Sequence, residues 1–83
     1  MKSAEKKLEK MRRNPNDWRI EQLEQLASVY GIKVRKSGGS HVIFSHSKWV
    51  ELLCIPAHRP IKPVYIKKLV NLIELLENET QTI

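Results

Sequence analysis

Apolar positions recur along the chain with two different periods, and the change of period outlines the fold. In residues 3–13, Ala4, Leu8 and Met11 come at roughly helical spacing, a thin stripe that predicts a short helix in need of support from elsewhere. Asn14-Pro15-Asn16 interrupts it. Ile20, Leu23, Leu26, Ala27 and Tyr30 then form the inner stripe of a second helix, expected over residues 17–30. Asn16 or Asp17 would cap its start and Gly31 its end. From Ile32 the period falls to two. Ile32 and Val34 alternate with Lys33 and Arg35, and after Ser37-Gly38-Gly39-Ser40 a second strand puts His41 and Ile43 on one face, Val42 and Phe44 on the other. Ser45–Lys48 reads as a turn, and Trp49–Ile55 as a third, more apolar strand that would be central or well covered. Pro56–Pro63 is a proline-punctuated loop. Pro63 opens a last helix over residues 63–78, with Ile66, Leu69, Val70, Ile73 and Leu76 inward. Tyr65, Leu72 and Leu75 widen that apolar surface, to be covered by the first helix or by another chain.

The order is α-α-β-β-β-α. A three-stranded antiparallel meander with helices on one face makes an α+β layer pair and leaves the other sheet face available to a ligand. We expect a helical extension at residues 1–16, a core domain at 17–78 and a tail at 79–83. At 83 residues the chain is near the lower end of what folds as one domain.

Charge singles out the middle of the chain. The net charge is +6, and residues 31–62 carry six Lys/Arg against one Glu, whereas the segments holding the second and last helices are mildly acidic. This distribution favours a polyanion at the strands, with nucleic acid the usual candidate. Cys54 is the sole cysteine, so an intramolecular disulfide and a Cys-rich zinc site are excluded. No apolar run approaches a membrane span and no export signal opens the chain, so a cytoplasmic protein without a membrane partner is expected.

The three histidines, His41, His46 and His58, form no helical i,i+4 pair and have no carboxylate cluster beside them; neither a metal nor another cofactor is expected. What remains is metal-free RNA chemistry, in which the 2′-hydroxyl attacks the adjacent phosphate. Such a reaction needs a group that moves a proton and positive charge on the phosphorane-like transition state. His41 suits the first role. Lys33, Arg35 and Lys36 supply charge, and the backbone N–H groups of Gly38, Gly39 and Ser40 can hold a phosphate oxygen. His58 and Lys62 are candidate supports of the same site.

Gly39-Ser40-His41 opening a strand that ends at Phe44, Ile55-Pro56-Ala57-His58 closing the third strand and Ile61-Lys62-Pro63 opening the last helix resemble the HicA toxins, the mRNA interferases of type II toxin–antitoxin systems. Gly31-Ile32 fits the same pattern, and the resemblance covers roughly residues 17–76. It implies a fold like that of double-stranded-RNA-binding domains, α-β-β-β-α, here with an added N-terminal helix. It also implies endoribonuclease activity on mRNA with His41 as the essential histidine, positioned by Gly39 and Ser40, and a HicB-like antitoxin that covers the active face. Many members carry two consecutive histidines, whereas here Val42 follows His41. A non-catalytic module that grips double-stranded RNA is the alternative. It would use basic residues at the start of the last helix, here Lys62, Lys67 and Lys68.

Overall fold

A computed structural model describes residues 3–36, 39–57 and 60–81. The elements are α1 (Ser3–Arg13), α2 (Ile20–Val29), β1 (Lys33–Lys36), β2 (His41–Ser45), β3 (Leu53–Pro56) and α3 (Pro63–Gln81). The strands form an antiparallel meander in the order β1-β2-β3. The architecture is α+β, with α2 and α3 packed on one sheet face and α1 packed on those two helices.

The core is continuous across that layer boundary. Val42, Phe44, Leu53 and Ile55 from the sheet meet Leu23, Leu26 and Ala27 of α2 and Ile66, Leu69, Val70, Ile73 and Leu76 of α3 in one buried cluster, and among the described residues no polar residue is buried with them. The inner stripes expected of α2 and α3 are the ones found.

Helix α1 belongs to the same cluster. Leu8 and Met11 are 3% and 1% exposed, so residues 3–13 complete the core rather than extend it. Helix α1 lies on both α2 and α3, which together cover its thin apolar stripe. At its C-terminal end, Arg12 donates from Nε to Glu74 Oε2 of α3 at 2.6 Å and also pairs with Glu9. Glu74, then Glu9, raise the guanidinium pKa above its ordinary value. A second tie to α3 comes from the end of α2, where the Tyr30 hydroxyl donates to Glu77 Oε2 at 2.9 Å.

Helix α2 starts three residues later than its capping pattern suggested. Asp17 sits at φ +64°, a left-handed conformation that cannot enter a helix. The Trp18 indole donates to the Asn14 carbonyl at 2.7 Å, and the Trp18 carbonyl accepts from Ile61 N–H at 3.1 Å. These bonds pin the α1–α2 connection to the loop before α3 and hold it out of helical geometry. Arg19 takes the cap position, and Gln22 reaches back to accept its N–H at 2.9 Å. The other end follows the expectation. Gly31 has φ +72°, its N–H bonds to Ser28, and the N–H of buried Ile32 reaches the Ala27 carbonyl at 2.9 Å, the paired bonds of a Schellman cap.

Strand β3 is shorter than expected and lies at the edge of the sheet; β2 is the central strand. Trp49 is the reason. Its N–H bonds to the His46 carbonyl at 3.0 Å, and its ring lies 5.9 Å from the His46 ring, so it belongs to the turn. Val50, Glu51 and Leu52 then pass through solvent before pairing begins at Leu53. On α3, Tyr65 and Leu72 are half-buried against the core while Leu75 is exposed.

Candidate functional site

The candidate site is the sheet face that the helices leave open, and its composition follows from strand phase. In β2, Val42 and Phe44 are buried, so His41, Ile43 and Ser45 point the other way. Register extends this face across the sheet. Arg35 pairs with Ile43 and Ile43 with Cys54; Lys33 pairs with Ser45; His41 pairs with Pro56. Lys33, Arg35, His41 and Cys54 are all exposed. The face is therefore graded sideways, cationic along β1, polar and imidazole-bearing along β2, and apolar along β3, where exposed Leu52 precedes Cys54.

Lys36 is not part of this surface. It pairs with buried Val42, on the helix side of the sheet, and its Nζ lies 3.8 Å from Glu24 Oε2 of α2. The expected place of Lys36 beside Lys33 and Arg35 is thus corrected by alternation. Its ammonium instead offsets a carboxylate oxygen that is buried without a hydrogen-bond partner among the described residues.

His41 is exposed at the start of β2, and the strand is secured beside it by the Ala57 N–H, which donates to the Ser40 carbonyl at 2.5 Å. Among the described residues other than its chain neighbours, no atom lies within 4 Å of where a Cβ on Gly39 would stand. Its contribution is open space next to His41, which lets another backbone come close. Gly38 and His58 lie outside the described residues. Lys62 is exposed and lines a cleft of about 530 Å³ with Asn16, Asp17, Pro56 and Tyr65 among its walls. Pro56, which pairs with His41, is also a wall of that cleft.

The structure thus brings His41, Arg35 and Lys33 to one open face and leaves Lys36 on the other. Sequence reasoning passed over Ser45, Ser47 and His46, which gather with Lys33 at the far end of the face. Strand phase placed Ser45 there in principle, since it is two residues beyond Ile43. Among the described residues no group of three or more His, Cys, Asp or Glu could hold a metal ion, and no helix is long and apolar enough to cross a membrane. No family model matches the chain, and neither a curated protein nor a solved structure matches it.

Proposed function

We propose that this protein is a metal-independent endoribonuclease of the HicA type, the toxin of a toxin–antitoxin pair acting on mRNA in the cytoplasm. The observation that carries the reading is the alignment of exposed His41 with Arg35 and Lys33 on the uncovered face of a sheet whose other face is sealed by helices. The α-β-β-β-α core is then a double-stranded-RNA-binding-domain-like fold whose open face has been turned to chemistry.

In this mechanism the RNA 2′-hydroxyl attacks the adjacent phosphorus and the bond to the 5′-oxygen breaks. The proton leaves the 2′-oxygen and a proton is delivered to the departing 5′-oxygen. His41 acts as general base or general acid in that exchange. Arg35 and Lys33 grip the RNA backbone along the same face and supply the positive potential in which charge grows on the phosphate oxygens. A HicB-like antitoxin would silence the enzyme by covering the same face, and the chemistry of the surface asks for a partner bearing carboxylates there.

Exposed Lys62, just before α3, and exposed Lys67 and Lys68 early in it favour the second reading, a module that grips double-stranded RNA without cutting it. Incubating the purified protein with single-stranded RNA in chelator separates the two. Cleavage is the expected outcome; salt-sensitive retention of intact RNA would leave only the binding module.

A further inference from the structure

The far end of the open face holds a second cluster, of which the nuclease reading uses Lys33 alone. Gly31, Lys33, Ser45, His46 and Ser47 line a hollow of about 460 Å³. Among the described residues no carboxylate lines it. Its side chains offer an ammonium, two hydroxyls and an imidazole, a set of donors suited to an anion.

The imidazole is fixed in the required state. Lys48 N–H donates to His46 Nδ1 at 3.0 Å, so the neutral ring carries its proton on Nε2, and the Trp49 ring stands 5.9 Å away. A nitrogen committed as acceptor to a backbone amide cannot shuttle protons, but the opposite N–H is a standing donor. His46 is therefore suited to holding an anion rather than to catalysing a reaction.

Its position names the anion. His41, Ile43 and Ser45 follow one another on the same face, so the hollow lies about 13 Å from His41 at the usual rise of a strand. Arg35, paired with Ile43, lies midway, and Lys33, paired with Ser45, closes the row. Each step of about 6.6 Å between same-face residues is close to the step between successive phosphates of an extended RNA strand. We propose that the Lys33–Ser45–His46–Ser47 hollow is a phosphate subsite for single-stranded RNA. It holds the phosphate two nucleotides from the one at His41, with Arg35 on the phosphate between them. The strand would run along β2 with its phosphates toward β1 and its bases toward the apolar β3 side.

The proposal rests on the RNA reading above, and its test does not depend on cleavage. Fully 2′-O-methylated oligonucleotides, which lack the attacking hydroxyl, are titrated at increasing lengths from two to six nucleotides. Affinity should rise in a step of about tenfold when the phosphate that reaches the hollow is added. The step should vanish in Lys33→Gln and in His46→Asn, whose side-chain oxygen can still accept the Lys48 N–H and so preserve the turn. A smooth rise with length, the same in all three proteins, overturns the proposal. So does inorganic phosphate moving the Ser45–Ser47 amide signals when no oligonucleotide does. An uncleaved natural RNA together with the step would remove the nuclease reading and keep the subsite; cleavage without the step would do the reverse.

Discussion

Strand β2 has two faces one residue apart, and they do different work. Val42 and Phe44 are sealed under the helices, while exposed His41 and half-covered Ile43 and Ser45 lie on the opposite face. The inner face supplies stability and tolerates little change in volume. The outer face contributes little burial, so its chemistry can vary without endangering the fold. Separating the two by alternation lets an 83-residue chain present an open polar and cationic surface on a minimal core.

The comparison breaks first on its inner side. Phe44→Ala should cost about 3–5 kcal/mol of unfolding free energy, because a fully buried ring leaves a cavity between sheet and helices. Denaturant titration measures it, and any loss of RNA cleavage should disappear when the variant is assayed far below its melting temperature. Met11→Ala should come next at about 2–5 kcal/mol. A near-neutral result would return α1 to the status of an extension.

On the outer side, neighbouring cations sharpen the contrast. Arg35→Gln should weaken RNA binding and lower the salt dependence of log affinity by about one. Lys36→Gln, one residue on but across the sheet and paired with Glu24, should leave that slope unchanged. Fluorescence anisotropy at several salt concentrations distinguishes them.

The smallest effect concerns pH. Burial, then the bond to Glu77, pushes the Tyr30 hydroxyl up to about 12. In the unfolded chain it ionises near 10, so between about pH 10 and pH 12 the unfolded state binds fewer protons and stability falls as pH rises. Below pH 10 this contribution is fully present. Tyr30→Phe should flatten that alkaline limb in melts run across the range.

Period and punctuation carried much of this fold. The α3 stripe, the Gly31 cap and the phase that turns His41 outward are local properties of the chain, legible without coordinates. The errors came where tertiary bonds override local preference. Asn16 and Asp17 look like caps, but Trp18 is held by Asn14 and Ile61 and delays the helix to Ile20. Trp49 looks like a strand residue, but the His46 turn captures it and shortens β3. Leu8 and Met11 make a thin stripe whose weight appears only once α2 and α3 lie beneath it. Lys36 is a different case: alternation from Arg35 already puts it on the inner side, where its long side chain carries the ammonium out to Glu24. The hollow around His46 needed the conformation of a turn, which no periodicity encodes.

The central claim is that the outward side of β2 performs chemistry through His41. Purified wild-type protein and His41→Ala are compared for cleavage of single-stranded RNA in chelator, with thermal melts of both. The account predicts a loss of cleavage of about 10²–10⁴-fold with a melt that hardly moves, since His41 is exposed. Undiminished cleavage by a folded His41→Ala protein would contradict it.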